Sequence, residues 1–145
     1  IENDEMGHGL DASLELEKHV ALVMDIHHHW IRDEEYINPN DDRVKRVIDS
    51  WRGQRPTMHY SYSRDEHLAP AGLGDKTHTE MHDIKMLLER GCKKQKLRAH
   101  SDLLPNAKVN DWALSFGEHF DIQTEAKGKN IAASQLYNQY ANQAS

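Results

Sequence analysis

The apolar positions of this chain change period several times, and each change marks an element. Val20 to Ile26 (VALVMDI) is a nearly unbroken apolar run ending in charge, the pattern of a strand buried on both faces. Val44, Val47, Ile48 and Trp51 then recur at i, i+3, i+4 and i+7, an amphipathic helix that Asp41 or Asp42 can cap and that Gly53 follows. Pro56 to Tyr62 (PTMHYSY) is a short β-prone run. Val109 to Phe120 reads as a helix capped at Asn110, with Trp112, Ala113, Phe116 and Phe120 as its apolar positions. Phe120 to Glu125 alternates as a strand, and Ile131 to Gln143 reads as a closing helix carrying Leu136, Tyr137 and Tyr140. Ile1-Glu2 opens like a strand, and a helix at Ala12 to His19 fits between the first two strands.

Strands alternating with helices in this order predict parallel strands with helical crossovers, an α/β architecture. After the third strand comes a long excursion, about Ser63 to Lys96. Thr77 and Glu80 make a capping box there, Met81, Ile84, Leu87 and Leu88 a stripe, and Gly91 a stop. No internal repeat, low-complexity segment or domain boundary interrupts residues 1–145.

Composition narrows the class. At 145 residues the chain is long enough for one core but short of the roughly 250 of a complete β/α barrel. It has no initiator Met, so an excerpt that starts on a strand already under way is expected. No apolar run approaches the roughly 20 residues that cross a bilayer, so no membrane partner is expected. The single Cys92 excludes an internal disulfide and fits a reducing, cytoplasmic setting; set between Gly91 and Lys93, it reads as a helix-end residue. A net charge of -6 argues against diffuse phosphate binding. It leaves room for metal-centred phosphate chemistry, because bound cations reverse the sign locally.

The chemistry lies at the strand ends, where parallel α/β folds gather their working residues. Glu2 closes the first expected strand, Asp25 the second, His59 the third and Glu125 the last; His27, His28 and His29 follow Asp25. The loop before the penultimate helix adds His100 and Asp102. Taken singly, each is as readily a solvated carboxylate or a satisfied polar residue; their conjunction carries the reading. Asp25 and His28 are three apart, so one turn beyond the strand both can face one point. A carboxylate and imidazole set suits manganese or zinc better than magnesium or calcium. His8, His19, His67, His78, His82 and His119 lie away from strand ends, although His78 and His82 are four apart on one predicted helix face. Tyr60 and Tyr62 read as packing or rim residues.

Five segments, IEND (1–4), MDIHHHW (24–30), MHYSYS (58–63), RAHSD (98–102) and DIQTEAKGK (121–129), resemble in order the blocks of UV damage endonucleases. The resemblance implies the C-terminal half of a TIM-type (β/α)8 barrel similar to endonuclease IV, about strands 5 to 8. The 41-residue span from His59 to His100 would carry an inserted helix near 77–90. It implies hydrolysis of the phosphodiester 5′ to UV photolesions in double-stranded DNA, using a cluster of divalent metals. Manganese is the first expectation, with magnesium, zinc or cobalt as alternatives. Glu2 would be a bridging carboxylate, Asp25, His59 and Glu125 would complete one metal's shell, and His28 and His100 would hold a second. Glu2, Asp25, His59 and Glu125 would form the catalytic set, and Lys127 and Lys129 would contact phosphate. If the source is bacterial, the protein would be nucleoid-associated.

The chain departs from the family at Thr57, where some members carry a lysine. The family's earlier strands, its remaining metal-binding histidines and its lesion-probing residues would lie upstream of Ile1. Two other readings stay open. A sugar isomerase or epimerase of the xylose-isomerase type also places Glu, Asp, His and Glu at successive strand ends. Alternatively, the chain is a catalytically incomplete half-barrel whose open edges pair with the missing half or with a second copy.

Overall fold

The structure, a computed structural model, describes residues 2–3 and 9–125. Three strands, β1 (Met24–Asp25), β2 (Thr57–Tyr60) and β3 (Asp121–Thr124), form a parallel sheet in the order β1-β2-β3. Glu2 adds a parallel bridge to Val23 on the outer side of β1. α1 (Leu10–Leu14) precedes β1, α2 (Ile26–Asp33) and α3 (Asp42–Ser50) lie between β1 and β2, and α4 (Asp65–Leu68), α5 (Ile84–Glu89), α6 (Lys94–Leu97) and α7 (Ala107–Leu114) lie between β2 and β3. The expected α/β class and parallel pairing are therefore present. The closing helix expected at 131–143 lies outside the described residues, as do Lys127 and Lys129.

The second strand is shorter than its apolar run. Ile26 already belongs to α2, because the Asp25 carboxylate accepts the His28 N–H at 2.8 Å and so caps a helix where the run predicts more strand. Val20 is exposed and stands outside the ladder. The pairing on the outer edge of β1 is completed by a side chain: the Asn3 amide donates to the Asp25 carbonyl (3.0 Å) and accepts from the Asp25 N–H (2.8 Å). An amide on a buried side chain thus substitutes for a ladder partner, satisfying both backbone groups of Asp25.

The α3 helix follows its pattern closely. Asp41 caps it through the Arg43 N–H, Val44 and Val47 are buried, and Gly53 lies beyond it at φ +88°. Its end is fastened to the start of β1: Trp51 Nε1 donates to the Leu22 carbonyl (2.7 Å), and Ser50 Oγ accepts the Leu22 N–H (2.9 Å). Met24, Ile26, Met58 and Tyr60 sit at the centre of the core, joined by Leu87, Ala113, Phe116 and Phe120. Tyr60 donates to Asn110 Oδ1 and Tyr62 to the Thr77 carbonyl, so both tyrosines pack, as expected.

Three helix starts differ from expectation. The predicted capping box fails: Thr77 lies in a 3₁₀ turn (Gly74–His78), and α5 begins at Ile84 behind the cap Asp83. The cause is tertiary. Asn106 Nδ2 takes the Thr77 and Glu80 carbonyls, and Tyr36 takes that of His82, so these acceptors are not free to build a helical turn. Gly91, at φ +103°, does end that region. The next helix is capped by Asn106 instead of Asn110, with Oδ1 accepting the Lys108 and Val109 N–H groups, and it stops at Leu114. The first helix is Leu10–Leu14, earlier and shorter than 12–19, and breaks into turns thereafter.

Candidate metal centre

Register decides which side chains meet. Asp25 is the Cα partner of His59, and His59 that of Gln123, so one level of the sheet crosses all three strands near their carboxyl ends. One residue beyond β3, the Glu125 N–H donates to the Tyr60 carbonyl, which carries its carboxylate to the same level. Glu2 arrives from the other side through its bridge to Val23.

As a result Glu2, Asp25, His59 and Glu125 each offer one donor atom, and these four atoms lie within 4.8 Å of one another. His59 Nδ1 is 2.5 Å from Glu125 Oε1 and 3.0 Å from Glu2 Oε1. The other ring nitrogen, Nε2, meets Gln123 Oε1 at 3.2 Å, which orients the imidazole so that Nδ1 faces the carboxylates. Gln123 was missed by sequence reasoning. Its only signal is its place two residues before Glu125 on one face of a strand, and the register that pairs it with His59 is not written in the sequence.

The electrostatics follow from crowding three carboxylates around one imidazole. The Glu125 and Glu2 contacts, against a smaller opposing effect of burial, raise the His59 pKa to about 10. Burial drives Asp25 well above the ordinary carboxylate range, and the neighbouring Glu2 and Glu125 add to this against the His28 N–H. The His59 contact holds Glu125 low. For Glu2 burial is the largest influence and opposes ionisation, yet the close approach of His59 and Asp25 and the charge of the nearby imidazoles leave it below its usual value.

The donor set fits a divalent cation. Asp25 Oδ2, His59 Nδ1 and Glu125 Oε1 are buried without an aligned hydrogen-bond partner. Buried polar atoms are rarely left so, and a cation bound among these three would take all of them. Three carboxylates with one imidazole are oxygen-rich, suited to a hard or borderline ion.

Of the six expected ligands, four converge and two stand alongside. His28 Nδ1 lies 3.2 Å from Asp25 Oδ2 and 3.8 Å from Glu2 Oε1, and its ring stacks on His100 with centroids 6.3 Å apart. The histidine triplet divides along the helical turn. His28 faces the carboxylates, while His27 and His29 are buried. His29 Nε2 pairs with Glu35, which with Asp41 holds Arg43. Burial, with His28 and His100 nearby, pushes His27 well below the usual histidine range. Asp102 turns away to Arg64. His78 and His82 share no helix face: His78 pairs with Asp65, and His82 with the Thr77 carbonyl.

The fold and the cluster define a class, an α/β protein with a candidate divalent-metal centre at the carboxyl ends of its parallel strands. The chain matches the family UV-endonuclease UvdE over residues 1–144, and it belongs to that family. Comparison with curated proteins returns no match, and neither does comparison with solved structures. Among the described residues no helix is long and apolar enough to cross a membrane.

Proposed function

We propose that this chain supplies the C-terminal half of a β/α barrel that cleaves DNA on the 5′ side of UV photolesions. The observation that carries the reading is the convergence of Glu2, Asp25, His59 and Glu125 on one space, with three of their donor atoms buried and without an aligned hydrogen-bond partner. Family membership supplies the class of reaction.

Glu2, Asp25, His59 and Glu125 would hold one divalent cation, manganese first, with Glu2 bridging to a second. His28 and His100 would hold that second ion. Divalent ions in such a centre activate water and neutralise a scissile phosphate. The chain's own contribution is placement: Gln123 orients His59, the Asp25 carboxylate is fixed by the His28 N–H, and Asn3 fixes the backbone beneath it. Lys127 and Lys129, shortly after Glu125, are proposed to contact phosphate. Exposed Lys93 and Lys96 join them, because α6 is tied to the site by the Ser63 hydroxyl, which donates to the Leu97 carbonyl (2.7 Å), and by the bridge between Ser63 and His100. A cytoplasmic setting goes with this reading.

The test is nicking of UV-irradiated plasmid in Mn²⁺ by the full-length protein, with unirradiated plasmid as control. Lesion-dependent nicking is expected, reduced at least about 10²-fold by Glu125→Gln or His59→Ala, since even residues that only orient ligands are worth 10- to 100-fold. Equal nicking of both plasmids would end the proposal.

A further inference from the structure

Behind the candidate centre lies a small cavity walled by the rings of Trp30, Tyr36, Tyr62 and Trp112. Two buried polar atoms without partners, His27 Nδ1 and Ser61 Oγ, belong to residues that line it. The volume open to the centre of a water molecule is about 20 Å³. One water needs roughly 10–15 Å³ by that measure, and at least two polar partners. Space and unpartnered atoms therefore match a single water.

The protonation of His27 follows from the hydrogen bonds on its far side. The single hydroxyl proton of Ser63 goes to the Leu97 carbonyl at 2.7 Å. Towards His27 Nε2, 3.0 Å away, Ser63 Oγ can then only accept, so Nε2 carries the hydrogen. In the neutral ring Nδ1 is a bare lone pair, and it needs a donor. Neither the walls nor Ser61 directly provides one, since no hydrogen bond joins Ser61 to His27.

We propose that this cavity is a built water site, in which one ordered water donates to His27 Nδ1 and hydrogen-bonds Ser61 Oγ. The water fixes His27 as the neutral Nε2–H tautomer. The ring so held braces two others, since its centroid lies 6.1 Å from that of His100 and 6.4 Å from that of His28. His27 is in this sense a positioning residue, acting through its neighbours and not on substrate. The inference rests on the cavity and its hydrogen bonds, independent of the nuclease reading.

Two measurements on the intact protein test it. A crystal structure that resolves ordered water is expected to show one peak within hydrogen-bond distance of both His27 Nδ1 and Ser61 Oγ. Side-chain ¹⁵N spectra are expected to show Nε2 protonated and Nδ1 as a hydrogen-bonded acceptor. In Ser61→Ala the water peak should be lost and the Nδ1 resonance should move towards that of an unbonded nitrogen. An empty cavity in the wild-type protein overturns the proposal, and so does a proton on Nδ1. Both wild-type readouts stand even if the variant does not fold.

Discussion

His59 Nδ1 and Glu125 Oε1 approach to 2.5 Å without an aligned hydrogen bond, so a proton and a cation compete for the same atom of His59. With its pKa raised to about 10 by Glu125 and Glu2, His59 is charged at neutral pH in the metal-free protein. Because the folded value exceeds the unfolded one near 6.5, the associated stability is fully present below that value and is lost as pH rises through about 10. A cation at Nδ1 requires the neutral ring, so its uptake near pH 7 must release at least one proton. Titrating Mn²⁺ calorimetrically in buffers of different ionisation enthalpy will reveal this as a buffer-dependent heat. Identical heats in all buffers would show that His59 exchanges no proton for metal.

Asp25 separates ligand from scaffold. Asp25→Asn keeps an oxygen for the His28 N–H, and asparagine caps helices as well as aspartate. It also removes a buried carboxylate crowded by Glu2 and Glu125. The metal-free variant is therefore expected to melt at or above the wild-type temperature. A cation at a hundred times its Kd stabilises the wild type by about 2.7 kcal/mol, and this increment should fall below about 1 kcal/mol in the variant. Thermal melts with and without Mn²⁺ check both halves; an undiminished metal increment would remove Asp25 from the centre.

The four clustered residues were legible in the sequence because each stands at the end of an expected strand, and the alternation of strands and helices can be read without knowledge of tertiary structure. Asp25, His59 and Glu125 could be placed this way, and Glu2 with them. What stayed hidden depends on partners far along the chain. Gln123 matters only through a register that sets it opposite His59. The excursion helix starts at Ile84 and not behind Thr77 because Asn106 and Tyr36, remote in sequence, take the carbonyls that a local capping signal assumes are free. Val20 to Ile26 misled for the opposite reason, since a local cap at Asp25 overrode the strand pattern.

Asn106 is the fastener of that excursion. Its side chain accepts two helix N–H groups of α7 and donates to Thr77, Glu80 and Tyr62 from a fully buried position. Asn106→Ala loses a cap worth about 1 kcal/mol. It also takes a donor from the part-buried Thr77 and Glu80 carbonyls, at about 1–3 kcal/mol for the two together. A loss of about 3 kcal/mol is expected in denaturant unfolding, with hydrogen exchange accelerating first over 74–83. A cost below about 1 kcal/mol would mean that water satisfies those carbonyls.

Lys93 and Lys96 test whether the excursion serves the substrate. The chain carries a net charge of -6, so duplex DNA must meet local positive charge to bind near the carboxylates. Lys94 is committed elsewhere, to Glu34 and the Arg32 carbonyl, which leaves Lys93 and Lys96 as the exposed lysines on this turn. Each phosphate contact contributes about 0.9 to the slope of log affinity against log salt. Lys93→Ala with Lys96→Ala should therefore flatten that slope by up to about 1.8, weakening irradiated and intact duplex alike. Because neither lysine belongs to the four-residue cluster, turnover at saturating DNA should stay at the wild-type rate while KM rises. Binding measured across a salt series decides it: an unchanged slope would place the DNA path away from α6, leaving the residues after Glu125 as the phosphate contacts to test next.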